Sequence, residues 1–202
     1  DDSACMTRTP GTAGNRKIWT FSTWIKLGNF GMYRDLFGYF LSNNDAERVL
    51  LNSNNTIWWG LTKANVSKGS RTTSCVIRDA SSWYHLVLVK DATAASFKIY
   101  INGVETPTTG NAVTNDDGYI NSNVVHTIGC LTGGGYYVDG YLSDTYLIDG
   151  QALTPSSFGE VSATTGAWIP KAYAGTYGTN GLHLDFANAA NLGNDVSPNN
   201  ND

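Results

Sequence analysis

The chain has 202 residues, 15% of them charged, with a formal net charge of −4 and a sequence pI near 5.2. That balance argues against a nucleic-acid binder, which needs a cationic face to displace counterions from phosphates. The scattered Lys and Arg likewise form no track for an anionic membrane surface, and no apolar run approaches the about 20 residues that span a bilayer.

Asp1–Pro10 lacks the basic head and apolar middle of a signal peptide, and the start at Asp suggests a processed or excised piece of something longer. Short apolar or alternating runs then follow at Lys17–Leu27, Asp35–Leu41, Arg48–Leu51, Thr56–Thr62, Thr72–Arg78, Trp83–Lys90, Ser96–Ile101, Val124–Cys130 and Tyr136–Ile148. Turn residues separate them at a spacing of about 8–12 residues, the signature of a sandwich or barrel. Asn102-Gly103 supplies the two positive-φ residues of a type I′ hairpin turn. Leu86-Val87-Leu88-Val89 is apolar on both faces, so this strand sits centrally in a layered structure. Thr154 and Pro155 suit the N-cap and first position of a single helical turn.

After Ile169 the pattern loosens, with one more short strand at Leu182–Phe186. The reading is one domain over 1–190 and an exposed Asn-rich tail over 191–202. Cys5, Cys75 and Cys130 have no zinc spacing, and an odd number leaves at least one unpaired. They read most simply as small core residues, with a single disulfide as the lesser alternative.

Four segments carry a resemblance. They are Trp19–Lys26, Trp83–Lys90 continuing to Lys98–Gly103, Ile128-Gly129 with Val138–Ile148, and Ala152–Pro155. In this order they resemble laminin-G-like modules of the concanavalin A-like lectin/glucanase superfamily. The flanks, Arg8–Pro10 with Ala13–Lys17 and Leu192–Asp202, resemble a subgroup found in phage and viral structural proteins. The resemblance implies an all-β fold, a two-sheet antiparallel sandwich of the jelly-roll type. It also implies a module on the surface of a virion, with other virion proteins as further partners and homo-oligomerisation open.

Laminarinase-type relatives align acidic residues along one strand. Here Asp45 and Glu47 are followed by Val49, and the paired-carboxylate geometry of a glycosidase is missing. A non-catalytic carbohydrate-recognition or adhesion module is the expectation, with a purely architectural virion block as the alternative. Sugar sites combine flat rings with polar side chains. Adjacent Trp58 and Trp59 must point to opposite faces of a strand, Tyr136 and Tyr137 flank a glycine run, and Tyr33 lies in a loop. These five are the candidate sugar-binding residues, whereas Trp19, Trp24 and Trp83 read as core. His85, His126 and His183 read as structural. Calcium is common in the superfamily, so the resemblance offers Asp139, at an Asp-Gly position, and Asp195, in the tail motif, as ligands for Ca2+.

Overall fold

Strand pairing follows the side-chain alternation through most of the chain. The computed structural model describes residues 4–201; the outermost residues of the domain and tail readings, 1–3 and 202, lie outside it. One antiparallel sheet has seven strands. In spatial order they are β1 (Met6–Arg8), β11 (His126–Ile128), β3 (Arg34–Ser42), β4 (Asp45–Leu51), β5 (Ile57–Lys63), β6 (Val66–Thr73) and β10 (Thr108–Thr109). The second antiparallel sheet has six: β15 (Leu182–Leu184), β12 (Gly140–Asp149), β2 (Ile18–Leu27), β7 (Tyr84–Asp91), β8 (Ser96–Ile101) and β9 (Val104–Glu105). A small pair, β13 (Gly159–Val161) with β14 (Trp168–Pro170), forms a separate two-stranded sheet against the outer side of β7.

The sheets face one another across a core built by alternate residues. Trp19, Phe21, Ile25 and Leu27 of β2 and Leu86 and Leu88 of β7 meet Phe37 of β3, Val49 and Leu51 of β4, and Trp59 and Leu61 of β5. Stacked ring pairs lock this layer, Phe21 on Phe37 at 4.3 Å and Trp59 on Phe97 at 3.9 Å. On the outer side of β7, Val87 and Val89 join Tyr146, Ile148, Phe158 and Tyr177 in a second cluster. The doubly apolar run at Leu86–Val89 is thus explained: one row faces the opposite sheet, and the other is roofed by the segment after β12. Asn102 and Gly103 have φ of 50° and 82°, the two left-handed residues that a type I′ turn between β8 and β9 requires.

Four expectations are corrected. The strand read at Thr72–Arg78 is β6, which starts six residues earlier at Val66. Its hairpin with β5 turns at Ala64 and Asn65, both at positive φ, and Ala64 carries no turn signal in sequence. Residues 191–201 are tied to the domain, with Asp195 2% exposed and bridged to Leu184, although most of the segment stays exposed as expected. The Asn199 and Asn201 amides donate to the carbonyls of Gly178, Thr179 and Gly181. Cys5 and Cys130 form a disulfide, with Cα atoms 5.4 Å apart, while Cys75 is free and exposed. Finally, the 3-10 turn at Pro155–Ser157 forms without a side-chain cap; the Thr154 hydroxyl bonds to Ser156 Oγ instead.

Candidate functional site

On the outer face of the seven-stranded sheet, the residues opposite the core rows come together. Trp59 points inward and is fully buried, so the sequence expectation of it as a sugar contact is corrected; its neighbour Trp58 must face outward. The Trp58 indole lies across Gly60, where a Cβ would collide with the ring. Trp58 is opposite Leu50, and Leu50 is opposite Asp35. Arg48 sits between Gly38 and Gly60 in the neighbouring row, with the Trp58 indole over Gly60, and its side chain is 15% exposed.

Arg48 is held by a two-point ion pair. Its Nε donates to Asp35 Oδ1 at 2.8 Å and its Nη2 to Asp35 Oδ2 at 2.5 Å, the planar match that fixes a guanidinium. Burial pushes the Asp35 carboxyl up from the usual carboxylate range, and Arg48 partly offsets that. The guanidinium carbon is 4.9 Å from the Phe40 ring centre and 5.9 Å from that of Tyr136, within cation–π range.

A loop supplies the rim. The Asp35 N–H donates to Tyr136 O, and Arg34 Nη1 donates to Tyr137 O, which fastens the glycine-rich 131–137 turn to the start of β3. Tyr136 is left-handed at φ 48° and 49% exposed; Tyr33, 50% exposed, meets it edge-on with ring centres 6.3 Å apart. Tyr136 thus reaches Arg48 and Tyr33 meets Tyr136 at the rim, while Trp58 lies over Gly60, the cross-strand partner of Arg48. Tyr137 is partly buried behind the rim. Phe40 and Arg48 were missed in sequence, although their parity with inward Val49 and Phe37 placed Arg48 on the outer face.

The acidic candidates do not fit a calcium ion. The Asp139 carboxylate accepts from Asn29 Nδ2. Asp195 accepts from the His183, Ser197 and Asn201 backbone N–H groups and from Ser197 Oγ. Donors converge there, where a hard cation needs oxygen atoms. Among the described residues no three His, Cys, Asp or Glu side chains gather as a metal site. Asp45 and Glu47 are also committed, Asp45 to the Tyr119 hydroxyl at 2.6 Å and Glu47 to Lys90.

The outer face of the other sheet holds more aromatic surface than the sequence indicated. Trp24 is 7% exposed, so its reading as a core residue holds, although by parity it lies on the outward side of β2; Trp83 is 41% exposed, which corrects the reading of it as core. Trp24 stacks on His85 at 4.8 Å. Trp168 Nε1 donates to His85 Nδ1, so Nε2 carries the proton and donates to Ser22 Oγ at 2.8 Å. Burial lowers the His85 pKa to about 4. Since an unfolded histidine titrates near 6.5, the unfolded chain binds the extra proton first. Stability from this group is complete above about pH 6.5 and lost as pH falls towards about 4. Urea unfolding between about pH 6.5 and 5 should lose about 2 kcal/mol more in the wild type than in His85→Gln. Equal losses would show that His85 is not held neutral.

Two antiparallel sheets packed face to face define the class as a β-sandwich module. The laminin-G-type family model described as the concanavalin A-like lectin/glucanases superfamily matches residues 2–157, and the chain belongs to that superfamily. A search of curated proteins gave no match. Among solved structures, a candidate carbohydrate binding protein from Bacteroides ovatus aligns at TM-score 0.65 and 15% identity, over 92% of this chain and 49% of that one. The chain thus spans about half the length of that relative. The Ruminococcus gnavus IT-sialidase CBM40 bound to α2,3 sialyllactose aligns at TM-score 0.52 and 12% identity, over 75% of this chain and 95% of that one. Mouse laminin α1 LG4-5 aligns at TM-score 0.55 and 9% identity, over 92% and 45%. At these identities the likeness is one of fold.

Proposed function

We propose that the chain is a non-catalytic carbohydrate-recognition module that binds sugars on the outer face of its seven-stranded sheet. The observation that carries this reading is the placing of partly exposed rings on this face, Tyr136 beside the ion-paired Arg48, Tyr33 edge-on to Tyr136, and Trp58 over Gly60 opposite Arg48. Rings take the apolar C–H face of a pyranose, and the Arg48 donors not used by Asp35 take its oxygens. The sugar ligand of the Ruminococcus module and the role ascribed to the Bacteroides protein support it. The commitment of Asp45 and Glu47 to structural partners supports the absence of catalysis by that pair. The viral-type flanks support placement on a virion surface facing host or environmental glycans, and the disulfide is in keeping with an oxidising exterior.

Glycan-array screening of the full chain identifies the ligand, and titration of the best hit then compares variants. Trp58→Ala and Tyr136→Ala should each weaken binding about tenfold, the value of about 1.4 kcal/mol expected of a lost ring contact. An array without hits, together with no chemical-shift change at millimolar sugar, would refute the reading.

A further inference from the structure

The strands of the seven-stranded sheet carry their Arg and Lys side chains at Arg8, Arg34, Arg48, Lys63, Lys68 and Arg71, and each is bonded within the chain. Arg8 donates to Asn180 O at 2.9 Å, and Arg71 to the carbonyls of Ser70 and Asn111. Lys63 donates to Asp117 O at 3.1 Å and Lys68 pairs with Asp116 at 3.4 Å, which turns both towards the loop after β10. Arg34 and Arg48 are the two left beside the Tyr136 rim, Arg34 through Tyr137 O and Arg48 under the Tyr136 ring.

Neither offers an uncompensated positive charge. Arg34 also donates to Asn29 Oδ1, and Asn29 in turn donates to the Asp139 carboxylate, so an anion stands one amide away. Arg48 has its anion in contact: Nε and Nη2 are both on Asp35, which is 2% exposed, and burial strengthens the attraction within such a pair. The guanidinium N–H groups that Asp35 does not use remain as donors, but the charge behind them is cancelled. The outward positions next to Arg48 on β4 to β6, Leu50, Trp58, Gly60, Ser70 and Thr72, are uncharged. A carboxylate or sulfate brought to Arg48 meets the Asp35 charge alongside, or strands that charge by drawing the guanidinium away. The hydroxyl and ring oxygens of a neutral sugar meet no such penalty.

Resting on the reading of this face as a sugar site, we propose that its ligands are neutral glycans, and that Asp35 is the residue that makes it reject sugars bearing a carboxylate or a sulfate. Arg48 gives hydrogen bonds to sugar oxygens, and Asp35, buried, acts through Arg48 as a positioning residue that also removes its pull on anions. Selectivity here comes from the built-in repulsive partner as much as from the attractive contacts.

An array of neutral glycans with their acidic counterparts tests this on the full chain, including methyl-esterified against de-esterified homogalacturonan and lactose against its 3′-sulfate and α2,3-sialyllactose. In every pair that binds, the neutral member should bind at least about tenfold tighter, with an affinity that changes less than about twofold between about 50 and about 300 mM NaCl. Asp35→Asn keeps the side-chain shape and removes the charge. It should bring the acidic member level with the neutral one or ahead of it, and high salt should take that gain away again. Where Asp35→Asn does not fold, the pair preference of the wild type and its salt dependence decide. Acidic members bound as tightly as their neutral partners by the wild type would overturn the proposal and leave the face a sugar site. An undiminished neutral preference in folded Asp35→Asn would overturn the role of Asp35. An array without hits refutes the sugar-site reading itself, and this inference falls with it.

Discussion

Lys90→Met should destabilise the fold by about 3–5 kcal/mol, the cost of stranding a buried charge. Lys90 stands on the inner row of β7 and Glu47 on the inner row of β4, so their contact joins the two sheets through the core. Nζ is 2.7 Å from Oε1, with side chains 0% and 1% exposed. Lys90 also donates to Arg16 O at 3.3 Å and lies 6.0 and 5.8 Å from the Trp19 and Trp59 ring centres. The other carboxylate oxygen of Glu47 accepts the N–H groups of Tyr119 at 2.7 Å and Ile120 at 2.9 Å. Both carboxylate oxygens and two of the three ammonium N–H groups are thereby engaged. A Cβ on Gly118 would strike both Glu47 and Lys90, so the loop closes over the pair only where the side chain is absent.

Glu47→Ala should cost at least as much, because it strands two backbone donors along with the ammonium. The double variant Lys90→Met/Glu47→Gln removes both charges and keeps an acceptor for the loop, so it should be more stable than Lys90→Met alone. Urea unfolding of the three variants decides the matter. Lys90→Met within about 1 kcal/mol of the wild type would mean that the charge finds water or a new partner, and that the pair is not a bridge between the sheets.

The parts of this molecule legible in sequence are those where local pattern and tertiary role agree. β8 alternates between buried and exposed residues, and the Asn102-Gly103 turn carries its own chemistry, so the β8–β9 hairpin followed from local pattern alone. Side-chain parity marked Trp24 and Trp83 as outward, since Phe21 and Ile25 and, on β7, Leu86 and Leu88 point in. Hydrophobicity masked that signal, because a tryptophan reads as core whichever way it faces. Glu47 and Lys90 were hidden for the opposite reason: charged residues read as surface unless the partner across the sandwich is known. The docking of residues 191–201 depends on Asn and Asp side chains bonding to distant carbonyls and N–H groups, a network that composition reads as disorder. Of the sugar-site candidates, Tyr136 is brought to the start of β3, where Tyr33 meets it, by the bond from the Asp35 N–H to the Tyr136 carbonyl, a non-local contact that sequence does not announce.

The disulfide belongs to this non-local class and carries the other large expected effect. Replacing Cys5 and Cys130 together by serine should lower stability by about 2–5 kcal/mol. The cross-link spans 125 residues of sequence, and in the chain-entropy picture a closed loop of about 100 residues is worth about 4.7 kcal/mol. What it secures is weak on its own: β1 is three residues long at the edge of the sheet and pairs with β11 from Met6↔Ile128 to Arg8↔His126. Without the cross-link such a short edge strand frays, so loss of amide protection should appear first at Met6–Arg8 and spread along β11. Because Cys75 is free and exposed, Cys75→Ser is the proper background, preventing exchange with the native pair during unfolding. In that background, coincident unfolding midpoints with and without reductant would show that the edge strand is held by its hydrogen bonds and packing, and that the cross-link contributes little.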